Sequence, residues 1–197
     1  MPRPSVKKER TEEIMLAFER CVTRYGVEGS TLERLAEESG LQRSLIRHYA
    51  GNRDDLIMAL LERYLTQSQQ QSQLLFAALP AEKPAQAFIE YLFDDYYSDS
   101  SSALLANALF NAAATIPELA APLKAATDDF IEALTQLLQQ THPHCESDDR
   151  YAVASGIVGI YFNIESVAHL GDTRKWRTAS KRSAHLLLSA LDTLSEI

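Results

Sequence analysis

The sequence predicts an all-α protein of about nine helices, in which an N-terminal three-helix domain built on a helix-turn-helix precedes a larger helical domain. Three observations carry this. Four of the seven glycines, Gly26, Gly29, Gly40 and Gly51, fall in the first 51 residues and the next is Gly156, which leaves a long tract rich in Ala, Leu, Gln and Glu. Such a tract favours helix. Its breaks are prolines, at Pro80 and Pro84, Pro117 and Pro122, then Pro143. No segment alternates apolar and polar residues for long enough to propose a strand.

The first helix is expected over 9–25, with Ile14, Phe18, Cys21, Val22 and Tyr25 on one face, and stops at Gly26. A second starts after Gly29: Ser30 stands three residues before Glu33 at capping-box spacing, and Thr31 is the alternative cap. Leu32, Leu35 and Ala36 face inward and Gly40 ends it. A short third helix covers 42–49, broken by Gly51-Asn52. From Arg53 an amphipathic helix runs to about 79, with Asp54 and Asp55 at its positive end. Helices follow at 85–97, 102–114, 117–140, 148–170 and 174–195. A single boundary between 52 and 53 separates the two expected domains, 1–52 and 53–197.

The 197 residues carry 19 Lys+Arg against 27 Asp+Glu, a formal net charge of −8. Taken whole, that balance argues against coating nucleic acid or anionic membranes by bulk charge. The sign is unevenly placed. Residues 1–53 hold ten basic and eight acidic residues, so the rest of the chain is strongly acidic. Two cysteines, Cys21 and Cys145, and an opening with no apolar stretch behind its charges give the expectation of a reduced, cytoplasmic protein without secretory signal or membrane span.

Helix, glycine turn and short helix form the helix-turn-helix arrangement, here TLERLAEESG-LQ-RSLIRHYA from Thr31 to Ala50. Two helices crossing steeply on a short turn need a residue that tolerates a left-handed backbone, and Gly40 supplies it. Leu35 and Ala36 can lock against Leu41 and Ile46. Gln42, Arg43, Ser44, Arg47 and His48 are then left exposed, donors suited to groove edges and phosphates.

These residues resemble the DNA-binding domain of the TetR family of bacterial transcriptional regulators. Thr31, Leu35-Ala36, Ser39-Gly40-Leu41, Ile46-Arg47-His48-Tyr49, and Arg53 with Leu56 stand at the family's offsets over residues 10–65. The chain departs from the family pattern at Gln42, Ser44, Arg47 and Ala50, which bears on the operator sequence. The resemblance implies that Tyr49 and Arg53 hold phosphates. Thr31, Gln42, Arg43, Ser44, Arg47, His48, Tyr49 and Arg53 form the candidate DNA-binding set. The arm carrying Arg3, Lys7, Lys8 and Arg10 either adds groove or phosphate contacts or is a solvated tail.

One short recognition helix reads few base pairs, so two modules held at fixed separation are expected. The resemblance implies a homodimer through residues 148–195. A small-residue face near Gly156 and Gly159 and an apolar face from Trp176 through Ala179, Leu186, Leu187 and Ala190 to Leu194 suit it; alternatively both faces close the chain's own core. The resemblance further implies a repressor of a double-stranded DNA operator released by a small-molecule ligand. Phe88, Tyr91, Phe110, Asn111, Phe130, Tyr161, Phe162 and Glu165 are the candidate ligand contacts, drawn from a wider group that includes Phe76, Phe93, Tyr96 and Tyr97.

His142, His144 and Cys145 are metal-ligand types, but they share one break between helices with no second ligand pair at recognisable spacing, so a solvated loop is the expectation and no cofactor is assigned. No glycine-rich phosphate loop, G-x-S-x-G or H-E-x-x-H occurs, which argues against an enzyme. Two other readings stay open: a helical scaffold that binds protein partners, and a regulator independent of ligand.

Overall fold

A computed structural model describes residues 6–94 and 100–194. Arg3, Tyr96 and Tyr97, named above, lie outside the described residues. Nine α-helices occur among those described: α1 Val6–Gly29, α2 Leu32–Ser39, α3 Arg43–Ala50, α4 Arg53–Ala77, α5 Pro84–Leu92, α6 Ser100–Ala112, α7 Pro117–Thr141, α8 Ser147–Ser166 and α9 Arg174–Leu194, with a single 3₁₀ turn at Ala168–Leu170. No strand is present among them. The all-α expectation holds.

The boundaries differ from the expected ones for local reasons. Gly26 does interrupt α1, at φ 70° and ψ 171°, but three residues beyond it resume the helical path. Thr31, and not Ser30, caps α2: its hydroxyl accepts from the Arg34 amide at 3.3 Å. Ser30 is fully buried and donates back to the Gly26 carbonyl at 2.7 Å. Asn52 caps α4, its Oδ1 accepting from the Asp54 and Asp55 amides at 2.7 and 3.0 Å, while the Asp55 carboxylate accepts from the Asn52 amide at 2.8 Å. This reciprocal pair satisfies the otherwise orphaned donors of the helix start.

The chain divides into two compact units, residues 1–67 with 104–123 and residues 68–103 with 124–197, so the units interleave along the sequence where a single boundary at 52/53 was expected. In the first, Ile14, Phe18 and Val22 of α1 meet Leu35 of α2, Ile46 of α3, and Leu56 and Leu60 of α4 in one core, extended by Leu109 and Leu119. Burying such side chains contributes about 1.5–3 kcal/mol each. The start of α4 therefore belongs to the core that positions α3.

In the second unit, Phe88 and Ile89 of α5, Leu134 and Leu138 of α7, Ala154, Ile157 and Val158 of α8, and Ala184, Leu188 and Leu191 of α9 share a core. A Cβ on Gly156 would fall 2.9 Å from Leu187 Cδ1, so part of the small-residue face of α8 already serves the close approach of α9. Glu165 near the end of α8 pairs with Arg177 of α9 at 2.7 Å, both side chains nearly buried. The stretch Ser147–Leu170 is apolar enough to cross a bilayer by length and composition, but it contributes five apolar side chains to this core and begins with Asp148, Asp149 and the buried Arg150.

The break after α7 is solvated in part, with Pro143, His144 and Glu146 exposed. His142 and Cys145 are buried; His142 Nε2 lies 3.2 Å from the Asp192 carboxylate, and the Cys145 thiol donates to the Leu191 carbonyl at 3.2 Å. Arg150 donates to the Cys145 carbonyl oxygen. His142 and Cys145 fasten this turn to α9, and the described residues contain no group of three or more ligand side chains placed to hold a metal.

Candidate nucleic-acid interface

The eight residues of α3 present a sharply divided surface. Ile46 is fully buried and points into the core. At about 100° per residue, Ser44 and His48 lie almost directly opposite it, while Leu45 and Arg47 flank that outward line on either side. Gln42, Arg43, Ser44, Leu45, Arg47 and His48 are all exposed, and Tyr49 and Ala50 are half-buried against the core. The exposed donors form a face that suits hydrogen bonding to base edges and phosphate oxygens.

What holds α3 in this attitude is the turn before it and α1 beneath it. Gly40 adopts φ 68° and ψ 15°, the left-handed geometry the turn requires. Gln42 occupies the N-cap position without a side-chain bond to the helix amides, as its weak capping ability leads one to expect. The Thr11 hydroxyl of α1 lies 3.2 Å from the Tyr49 carbonyl oxygen at the other end of α3. His48 and Tyr49 meet edge to face at 4.8 Å between ring centroids.

Several charges around the motif are paired. Arg43 donates to the Glu33 carboxylate of α2. Arg20 and Arg24 of α1 both reach Glu38, at 2.7 and 3.6 Å, and the Arg20 hydrogen bond holds the Glu38 carboxyl below its usual range. Arg34 donates to the Gly29 carbonyl at 2.6 Å with its guanidinium 4.5 Å from the Tyr25 ring centroid. Thr31 uses its oxygen as an acceptor in capping α2, and its hydroxyl also bonds the Glu33 carboxyl.

Arg53 is the residue whose surroundings sequence reasoning missed. Its guanidinium is bonded to two backbone carbonyls, those of Val27 and Ser30. No residue pattern near Arg53 signals that occupation, because it depends on how the corner between α1 and α2 packs against the start of α4. The capping-box spacing of Glu33 likewise gives no sign of its bond to Arg43.

The candidate ligand contacts are dispersed. Phe88 is fully buried and stacks loosely with Phe76 and Phe130, at 5.2 and 6.0 Å between centroids. Tyr161 lies beside Phe93 and Phe162, at 6.1 and 5.9 Å. Tyr91 is half-buried against the same core, and Glu165 is engaged by Arg177. Phe110 and Asn111 stand exposed on the part of α6 that belongs to the other unit.

No protein-family model matches the chain. A stretch of 49 residues is 39% identical to the HTH-type transcriptional repressor AcnR of Corynebacterium glutamicum, covering 25% of this chain and 26% of that repressor, so the match spans about a quarter of either protein. Similarity to solved structures extends over nearly the whole chain. A transcriptional regulator of Pseudomonas aeruginosa PAO1 aligns with a TM-score of 0.76 at 18% identity, over 94% of this chain and 91% of that one. A transcriptional regulator of a Rhodococcus species gives 0.71 at 15% identity, over 91% and 96%. A TetR-family transcriptional regulator of Pectobacterium atrosepticum gives 0.65 at 16% identity, over 96% and 97%. With the helix-turn-helix in α2 and α3 and the helical body that follows, the chain has the all-α fold of the TetR-family transcriptional regulators.

Proposed function

We propose that the protein is a sequence-specific DNA-binding transcriptional regulator, a homodimer that represses from a palindromic operator and is released by a small-molecule ligand. The observation that carries the DNA-binding part is α3 itself: a helix fixed by Ile46 through a shared core, with Ser44, Arg47 and His48 turned outward on a donor-rich face. In this reading Arg43, Ser44, Arg47 and His48 meet base edges in the major groove, while Thr31, Gln42 and Tyr49 hold phosphates. Arg53 supports the motif from within.

The exposed apolar side chains of α8 and α9 favour a second copy as the dimer partner. Tyr151, Trp176 and Leu186 are 48%, 53% and 61% exposed, and Ala179, Leu186 and Ala190 lie on the side of α9 away from the core residues Ala184, Leu188 and Leu191, with Trp176 at its edge. Two recognition helices held by such an interface would meet successive major grooves, and a ligand that prefers another spacing would lower operator affinity.

Binding to the duplex upstream of its own gene, measured against a random duplex at physiological salt, tests this reading. Preference for the upstream sequence by about a thousandfold or more is expected. Equal affinity for both would overturn it in favour of a scaffold for protein partners. Release is tested by adding a library of small molecules to the operator complex: at least one chemical class is expected to lower affinity, and none doing so favours a regulator independent of ligand.

A further inference from the structure

This inference rests on the DNA-binding reading and assigns a role within it to a residue outside the recognition helix. Arg43, at the start of α3, donates through Nη1 to the carboxylate of Glu33, the second residue of α2. The Glu33 carboxyl is kept below its ordinary range first by a backbone hydrogen bond, then by Arg43 and the Thr31 hydroxyl. A carboxylate therefore stays ionised beside the DNA-facing helix, where it would repel phosphate unless a cation engages it. Both side chains are 60% exposed, so simple ion pairing in water adds little to stability.

Its consequence lies in geometry. Arginine has a planar guanidinium on a long flexible stem, and its power to distinguish guanine depends on presenting two parallel N–H groups to O6 and N7. A carboxylate on a neighbouring helix that holds Nη1 restricts the guanidinium and leaves the Nε–Nη2 edge outside that bond. We propose that Glu33 is a positioning residue for base recognition: it holds Arg43 so that the guanidinium fork meets a guanine in each half-site and meets the other bases poorly. The same carboxylate suppresses non-specific binding, because an Arg43 tied to Glu33 is less available to phosphate.

The test selects binding sites from random duplexes with the full-length protein, then measures affinities for the selected site and its single-base variants. Wild type, Glu33→Gln, Arg43→Ala and the double variant are compared. Wild type is expected to select a G·C pair whose replacement is costly in each half-site. Glu33→Gln should reduce discrimination at that pair by about tenfold while affinity for random duplex holds or rises. Arg43→Ala should abolish the same preference, and Glu33→Gln should then add nothing to it. A role confined to stabilising the start of α2 would lower Tm and leave every base preference intact. If wild type enriches a site whose preferences all survive Glu33→Gln, or if the two substitutions act additively, this proposal is overturned alone. If wild type enriches no sequence, the DNA-binding reading falls and this proposal falls with it.

Discussion

Arg53, the first residue of α4, donates to the carbonyl oxygen of Val27 at 2.6 Å, and its Nε reaches the Ser30 carbonyl at 3.2 Å. Both carbonyls lie at the corner between α1 and α2, and that of Val27 also accepts the Ser30 amide at 3.2 Å. A guanidinium spanning two such acceptors ties the entry of α4 to the base of the helix-turn-helix. The resemblance implies a phosphate contact for Arg53, and in the structure its guanidinium bonds two carbonyls inside the motif.

Arg53→Ala is accordingly expected to lower the stability of the first unit by about 1–3 kcal/mol, the cost of leaving charge-assisted bonds to partly buried carbonyls unmade. Denaturant unfolding measures this. An unchanged midpoint would mean that the two bonds add nothing, and a pure loss of DNA affinity at constant stability would return Arg53 to a phosphate role.

Glu19 gives a pH dependence with a definite sign. Burial raises its carboxyl above the ordinary 4.5, against the opposing pull of Arg63 at 2.5 Å. A carboxyl with a raised folded value binds more protons folded than unfolded, so its contribution is fully present below pH 4.5 and is lost as pH rises through the raised value. Glu19→Gln should therefore gain stability relative to wild type on going from pH 4 to pH 7. A constant difference between the two proteins across that range would show that the carboxyl titrates alike in both states.

Arg47→Ala and His48→Ala address the reading face directly. Each is expected to relax discrimination at a base pair by about 1–3 kcal/mol while affinity for random duplex changes much less. Equal losses on selected and random DNA would assign both side chains to phosphate.

Leu186→Arg tests the dimer face. Leu186 is 61% exposed, so the substitution should leave Tm nearly unchanged while light scattering shows the mass falling from dimer to monomer. A dimer that survives this change together with Trp176→Arg would place the interface elsewhere.

Much of this architecture is legible in the sequence because glycine and proline report backbone needs directly. Gly40 falls in the left-handed region that the motif requires, and Pro84 and Pro117 open α5 and α7 where a missing N–H costs nothing. The exposed row on α3 is legible for a similar reason, since one buried residue, Ile46, fixes the phase of a short helix. Side-chain partners across the fold are not legible in this way. Arg53 bonding to Val27, Arg43 to Glu33, and the Cys145 thiol to Leu191 join residues 26, 10 and 46 positions apart through geometry that only packing sets. The same limit explains why candidate ligand residues chosen by aromatic character scatter between a closed core at Phe88 and an exposed surface at Phe110.

Reading of DNA by α3 as one half of a symmetric pair is tested by selecting sites from random duplexes with the full-length protein and determining how many chains bind each site. The expected result is an enriched inverted repeat whose half-sites are centred about one helical turn, some 34–36 Å, or a multiple of it apart, bound by two chains or a multiple of two, with affinity falling steeply as salt rises. Enrichment of no sequence, or of a single unrepeated half-site bound by one chain, would contradict it.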